Sequence, residues 1–366
     1  MTACIRIATS PGEARIAVVD GNRLLDFSVW HPGSPDGVGD IHRGRVIASA
    51  PAMAGAFVAL AGAEGFLPDS EGARGLTAGT VLTVRVTRAA QGNKGPRLSA
   101  TVSGAPANGP VGLVRRGPDP VVRFAALYPN APVTTDDDFM AAALDLGARV
   151  SVVRPAFGED LATAIDALSR PVVELRGGAS LSVWPTPALV AIDVDAGGAV
   201  AGAGNARIRH EAVNRAIVPE VAGQIRLRNL SGGIVVDLAG LSPRKRAALG
   251  PDFIAALAND PLRPRFLGFT ALGLAEIVRS RIHPPLHEVL AGPLAAGIEA
   301  LRAVMAAFAG NPRALPGVRA NPSVMAALQA DTAALADLTR RTGRSVTMRS
   351  DPSLPAGAWR LETGHG

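Results

Sequence analysis

Leu189-Val-Ala-Ile-Asp-Val-Asp195 and Ser231-Gly-Gly-Ile-Val-Val-Asp-Leu238 decide how this chain folds. Each is a short apolar run rich in Val and Ile, bounded by turn residues, and such runs read as buried strands. Each also carries a carboxylate at its far end. Side by side, the two strands bring Asp193 and Asp237 together, and paired carboxylates suit a hard cation such as Mg2+. Between them runs Gln224-Ile-Arg-Leu-Arg-Asn-Leu230, whose Arg226 and Arg228 are placed to meet an anion. A Mg2+ held by two carboxylates keeps coordinated waters and also takes a phosphate oxygen, which is the outline of a phosphodiesterase site. For either aspartate alone, the ordinary alternative is a turn or capping residue.

A chain of 366 residues has room for two or three cored domains. Its 48% hydrophobic and 19% charged residues describe a globular protein rather than a disordered one. No uninterrupted apolar run reaches the length of a membrane span, and Met1-Thr-Ala-Cys-Ile-Arg6 lacks the pattern of a secretory signal. Cys4 is the single cysteine, which rules out an internal disulfide and a multi-cysteine zinc site. A cytoplasmic setting with no membrane partner is the expectation. The net charge of +6 favours a polyanionic partner. Part of that signal is codon bias, because Lys94 and Lys245 are the only lysines among 37 basic residues.

The first thirty residues predict three strands: Ile5 to Ala8, Ala14 to Val19 and Leu24 to Trp30, with Asp20-Gly21 as a hairpin turn. A turn-rich stretch, His31 to Gly39, marks a domain junction. Five short strands follow, at Gly44–Ile47, Ala56–Leu60, Gly65–Pro68, Thr80–Val86 and Leu98–Val102, and they suit a small closed barrel. Ser103 to Pro110 is a connector. Asp136-Asp-Asp138 precedes an apolar helical run and reads as a helix N-terminus rather than a metal cluster. Asp160 to Leu168 predicts a further helix, and Val172 to Leu175 a strand. Gly197 to Gly204 mimics a dinucleotide fingerprint but has neither the helix start nor the ribose acid, so a surface loop is expected. Beyond Pro251, helix and strand alternate. Ile298, Leu301, Met305 and Phe308 recur at helical spacing, as do Val324, Leu328, Leu335 and Leu338, and Gly343 to Arg349 reads as a final strand.

The order of several pieces is diagnostic. Asp40-Ile-His-Arg-Gly-Arg-Val46 with Ala56-Phe-Val and Gly65-Phe-Leu-Pro68 resembles an S1-type RNA-binding barrel. Ile192-Asp-Val-Asp195, Asn214, Gln224 to Leu230, Gly232 to Asp237 and Gly268-Phe-Thr-Ala-Leu-Gly-Leu-Ala-Glu276 together resemble the ribonuclease E/G family, and the last of these, like Arg226-Leu-Arg-Asn-Leu230, looks closer to its ribonuclease G branch. The resemblance implies an α+β multidomain chain. An S1 (OB-type) barrel at 39–104 would be inserted in an RNase H-like subdomain at 1–38 and 111–180. A DNase I-like catalytic subdomain at 181–290 and a small C-terminal α/β unit at 291–366 would follow.

It implies Asp193 and Asp237 as ligands of Mg2+, with Mn2+ as the alternative cation, and Asp195 as a catalytic-site residue where the family often has asparagine. Phe57, Phe66 and Lys94 would grip single-stranded RNA. From the residues alone, both phenylalanines read first as barrel core, because most aromatics are buried, and Lys94 as a solvated loop charge. The activity implied is cleavage of single-stranded RNA to 5′-phosphate and 3′-hydroxyl ends, in rRNA maturation or mRNA turnover. A binding protein that has kept the fold but lost turnover is the alternative, and a metal-dependent DNase a third.

Departures from the family are also legible. Glu288-Val-Leu-Ala-Gly-Pro-Leu294 stands where a Cys-Pro-x-Cys zinc link is usual, so the resemblance implies no zinc and, if a homo-oligomer forms, not through zinc. The region sensing a 5′-monophosphate is reduced to about Val111–Arg123, leaving Arg115 and Arg116 as its phosphate-binding candidates. Leu238-Ala-Gly240 lacks a further acid, and Ala216 replaces a glutamate.

Overall fold

Ile5, Ile7, Ile16 and Val18 share one buried face of the first sheet, and Ala17, Val19 and Phe27, alternating with them, are buried on the other. In the computed structural model, which describes residues 3–92, 94–104, 109–175, 178–197, 206–311 and 315–364, β1 (Cys4–Ser10), β2 (Glu13–Asp20) and β3 (Arg23–Trp30) form an antiparallel meander. The tight turn is Gly21-Asn22, one residue later than Asp20-Gly21, because Asp20 still pairs with Arg23 and Gly21 takes the left-handed φ of +58°. β10 (Val133–Thr135) adds to β1 in parallel and β11 (Val150–Val152) adds to β10. The acidic triplet behaves as a helix start. Asp137 caps α2 (Asp138–Ala143) by accepting from the Met140 amide at 2.8 Å, while Asp136 takes the Thr9 amide and hydroxyl. α3 (Glu159–Ala167) packs Ile165 and Leu168 against Ala17, Val19 and Phe27.

Glu13 at the start of β2 is buried among cations. Arg15 and Arg302 reach it at 2.8 and 2.7 Å, and His31 at 3.3 Å. Burial alone would raise its pKa, but the His31 hydrogen bond and the charges of Arg302 and Arg15 outweigh it and hold the carboxyl at about 2, below its ordinary 4.5. The folded state therefore gains stability from ionised Glu13 above pH 4.5 and loses it as the pH falls toward 2. Glu13→Gln is expected to cost about 2 kcal/mol at neutral pH. Urea titrations at pH 7 and pH 3 check this, and the gap between variant and wild type should shrink at the lower pH.

The chain divides into two units, Met1–Gly33, Asn130–Arg281 and Pro285–Gly366 in one, Ser34–Pro129 with Ile282–Pro284 in the other. The second is a closed five-stranded barrel of β4 (Ile41–Ala50), β5 (Gly55–Ala59), β6 (Glu64–Pro68), β7 (Val81–Arg88) and β8 (Arg97–Ser99). Closure runs β4-β5-β6-β8-β7 and back to β4, and β9 (Gly112–Arg115) pairs with β4 outside the ring. Val46, Val58, Leu67, Val84, Val86 and Leu98 fill the interior. α1 (Pro120–Leu127) follows, capped by Asp119.

In the first unit, β12 (Val172–Glu174), β13 (Ser180–Pro185), β14 (Val190–Asp195), β15 (Gly232–Asp237), β17 (Ala275–Arg279) and β16 (Arg265–Phe269) form a six-stranded sheet in that order. Only β14 and β15 run parallel. A parallel pair needs a crossover, and α4 (Ala206–Leu227) supplies it, with Ile217, Val218, Val221 and Ile225 buried at helical spacing. The sequence reading missed this helix because Pro219 and Gly223 interrupt its pattern. α4 and α6 (Gly250–Leu257) cover one sheet face, joined by Leu181, Ile192, Ile234 and Ile277. α5 (Pro243–Ala247) lies between β15 and α6 in the chain.

α7 (Leu286–Val289) leads into the tail, where α8 (Gly292–Gly310), α9 (Pro322–Ala330) and α10 (Thr332–Thr342) pack on a sheet of β19 (Thr347–Ser350), β18 (Leu315–Ala320) and β20 (Trp359–Gly364). The expected last strand is β19, but β20 follows it and pairs with β18. α8 is long and apolar enough by composition to cross a membrane. Here it buries Ile298, Ala300, Leu301 and Val304 in the tail core. Gly297 permits its close approach to α9, since a Cβ there would lie 2.7 Å from Leu328.

Candidate active site

On the barrel, strand alternation sorts inside from outside. Ala56 and Val58 point inward, so Phe57 between them points out; Leu67 points inward and Phe66 out. The two rings are directly opposed across β5 and β6, half-buried, edge to face at 5.5 Å. Phe66 is also opposite Arg97 on β8, and Arg97 opposite Arg88 on β7. One register row thus carries two aromatics and Arg97 on the outer wall, with half-buried Arg88 at its end beyond a register shift. Arg97 is exposed, and sequence reasoning passed over it; the alternation Arg97-Leu98, with Leu98 at 0% exposure, was the signal available. Lys94 is exposed in a tight turn closed by reciprocal backbone hydrogen bonds with Gln91. Arg115 is exposed on β9, and Arg116 donates to the buried carboxylate of Asp40 at 2.7 Å.

On the six-stranded sheet, Asp193 of β14 and Asp237, the last residue of β15, are direct register partners across the one parallel pair. Residues directly opposed project from the same face, here the face away from α4 and α6. Both aspartates are exposed, because that face is open where the other is core. Asp195 lies two residues beyond Asp193 on the same face, and its carboxylate accepts from the Gly197 amide at 2.8 Å. The rest of the expected Gly197–Gly204 loop, 198–204, lies outside the described residues.

Two side chains hold the loop after Asp237. Arg246 donates to the carbonyls of Gly273, Leu241 and Leu238 at 2.7, 3.0 and 3.1 Å, and approaches the Asp237 carboxylate at 3.4 Å. It reaches Gly273 only because that residue lacks a Cβ, which would sit 2.6 Å from the guanidinium; the backbone there also takes a φ of +85°. Asn214, fully buried on α4, donates to the Ala239 carbonyl at 2.8 Å. Sequence reasoning did not single out Arg246, since nothing local in Pro243-Arg-Lys-Arg-Ala247 distinguishes one cation from the next.

Two carboxylates directly opposed and open to solvent fit a hydrated Mg2+, which commonly takes one or two carboxylates and keeps several waters. Among the described residues no group of three or more His, Cys, Asp or Glu side chains forms a fuller cage.

Residues 148–282 match the model of the Ribonuclease E/G family. This segment is similar to the ribonuclease E/G family. Ribonuclease E of Synechocystis is 35% identical over 133 residues, covering 36% of this chain and 19% of that protein. Ribonuclease E of Escherichia coli is 26% identical over 393 aligned positions, covering 77% of this chain and 37% of that protein. Ribonuclease G of Escherichia coli is 31% identical over 121 residues, covering 32% and 24%. The chain thus spans less than half the length of these curated relatives.

Within the matched segment, one expectation changes. Arg226 and Arg228 do not stand ready for an anion. Arg226 lies in the last turn of α4 and Arg228 just past its end, and both are committed to internal partners. Arg226 grips buried Asp26 from two nitrogens, one at 2.6 Å, and donates to the Asn259 carbonyl. Arg228 is 6% exposed and donates to Gln224 and to the carbonyls of Arg170 and Ala167. Burial lowers its pKa to about 10, which still leaves it cationic at neutral pH. The reason is geometric: residues two apart on a helix point to different sides, so one serves the β3 side and the other the α3 end. Arg228→Met is expected to cost about 2 kcal/mol, because three acceptors lose their donor, with the salt dependence of RNA binding unchanged. Thermal unfolding and a salt titration of oligonucleotide binding check the two halves.

Proposed function

We propose that the chain is a Mg2+-dependent endoribonuclease acting on single-stranded RNA, cleaving on the 3′-oxygen side of phosphorus to leave 5′-phosphate and 3′-hydroxyl ends in RNA processing or decay. The observation that carries it is the direct opposition of Asp193 and Asp237 across the parallel pair, inside the segment that matches the ribonuclease E/G model. The names of the relatives, ribonuclease E and ribonuclease G, support the same chemistry. On this reading the barrel is the S1-like RNA-binding module, the first sheet RNase H-like, and the six-stranded sheet DNase I-like. The cation is Mg2+, or Mn2+ in its place, and not zinc.

Asp193 and Asp237 would hold the cation, which supplies positive charge at the scissile phosphate and a more acidic water. Asp195 adds negative charge beside them and ties down the Gly197 amide. Arg246 fixes the Asp237 carboxylate and the loop behind it, and Asn214 fixes the same loop from α4. Phe57 and Phe66 offer ring faces and edges to unstacked bases, with Lys94 and Arg97 meeting phosphates, the combination single-strand binding uses. Arg115 and Arg116 remain the candidates for a terminal phosphate, Arg116 sharing its charge with Asp40.

The test is cleavage of a 5′-monophosphorylated single-stranded RNA in Mg2+ by wild type, Asp193→Asn and Asp237→Asn. Cutting by wild type alone, abolished by EDTA, is the expected result. RNA that is bound but uncut by all three proteins would leave the non-catalytic binding protein. DNA of the same sequence and a 5′-hydroxyl RNA test substrate class and end-sensing.

A further inference from the structure

Among the described residues of the face that carries Asp193 and Asp237, the one large ring is Trp184. β13 alternates Leu181 and Val183 into the core, so Ser180, Ser182 and Trp184 share the opposite face. The register fixes the neighbourhood. Ser182, Asp193 and Asp237 form one row across the sheet, and Trp184, Ala191, Val235 and Glu276 form the next. By ordinary sheet spacings, Trp184 stands roughly 8 Å from Asp193 and roughly 12 Å from Asp237, Cα to Cα. The side chains between are short, Ser182, Ala191 and Val235, so nothing tall separates the indole from the carboxylates.

Tryptophan is among the more buried side chains on average, yet Trp184 is 54% exposed. Its mount is stiff. Pro185 and Pro187 flank the turn into β14, where Thr186 and Leu189 exchange backbone and side-chain hydrogen bonds at 2.6 to 3.2 Å. A rigid ring held in water loses little freedom when something stacks on it.

We propose that Trp184 is a base-stacking platform for the RNA nucleotide beside the scissile phosphate, a role that rests on the endoribonuclease reading of this face. The charges on the face choose between base and phosphate. Asp193, Asp195, Asp237 and Glu276 exclude a phosphate that no cation accompanies, and the uncharged corner at Trp184 takes the apolar part of a nucleotide. The strand's direction across the face follows: phosphate over the aspartate row, adjacent base over the Trp184 row. Stacking is tolerant of base identity, so the platform positions substrate without imposing a sequence.

The experiment is a cycle between protein and substrate. kcat/KM is measured for wild type, Trp184→Ala and Trp184→Phe on a 5′-monophosphorylated RNA and on a set in which one abasic nucleotide is walked across the cleavage point. Wild type is expected to lose about tenfold at one abasic position next to the cut. Trp184→Ala should lose about tenfold on intact RNA and nothing further at that position, and Trp184→Phe should stay within about threefold of wild type. The slope of log affinity against log salt should not change, because no phosphate contact is removed. An abasic penalty undiminished in Trp184→Ala overturns the platform. So does an unaltered RNA profile with loss of a concentration-dependent dimer, which would assign the ring to a second copy of the chain. If wild type binds RNA without cutting it, the enzyme reading fails alone, and the same cycle in dissociation constants decides the stacking. If wild type neither binds nor cuts, both fall.

Discussion

On the proposed endoribonuclease reading, Asp237→Asn is expected to lower kcat for Mg2+-dependent RNA cleavage by about 10³-fold while KM changes little, the largest effect of any substitution here. Metal charge at a reacting phosphate is worth several kcal/mol, and about 4 kcal/mol corresponds to about 10³-fold. Asparagine keeps the shape and removes the charge that would bind the cation. A second readout separates this from damage to the fold. Asp193 and Asp237 are direct partners, and like charges directly opposed destabilise a sheet. Without divalent cation, Asp237→Asn and Asp193→Asn should each unfold at slightly higher urea than wild type, by about 0.5 kcal/mol. With Mg2+ present the order should reverse, because only wild type gains by binding. Urea titrations with EDTA and with Mg2+ read this directly. Variants that cut RNA as well as wild type, or the same stability order in both buffers, would remove the metal site from the face.

On the same reading, the double variant Phe57→Ala/Phe66→Ala is expected to weaken single-stranded RNA binding by about 10²-fold, since each stacked base is worth about 1–3 kcal/mol. Fold damage should be small. Val58, Leu67 and Leu98 still fill the interior, and loss of the edge-to-face pair costs about 1 kcal/mol. Salt separates the two kinds of contact on this wall. Removing the rings should leave the log–log salt slope unchanged, whereas Lys94→Ala and Arg97→Ala should each flatten it by about 0.7 with a smaller loss of affinity. Fluorescence anisotropy with a labelled oligoribonucleotide at four salt concentrations measures all of these. Unchanged affinity in the double variant would return both rings to a packing role.

Strand-level features were legible because they depend on period-two alternation and turn residues within a few positions. The three N-terminal strands, the five barrel strands and the two aspartate strands were all readable in this way, most to within a residue or two. Asp137 as a helix cap was readable for the same reason, since it bonds an amide three residues on. α4 was hidden by Pro219 and Gly223, although its buried stripe at Ile217, Val218, Val221 and Ile225 is present in the sequence.

The amino-acid sequence by itself determined that two Val/Ile strands end in carboxylates and that a small barrel carries Phe57 and Phe66. Both are read from alternation and turn residues within a few positions of each other. Only the tertiary structure decided which groups share a face. It set Asp193 opposite Asp237 through the parallel register, turned Phe57 and Phe66 outward beside Arg97, and spent Arg226 and Arg228 on Asp26 and on carbonyls at the end of α3. It also left Trp184 exposed beside the aspartates. Such pairings join residues far apart in the chain, up to 200 positions for Arg226 and Asp26, and they are fixed by burial and hydrogen-bond satisfaction across the folded sheet rather than by any local signal.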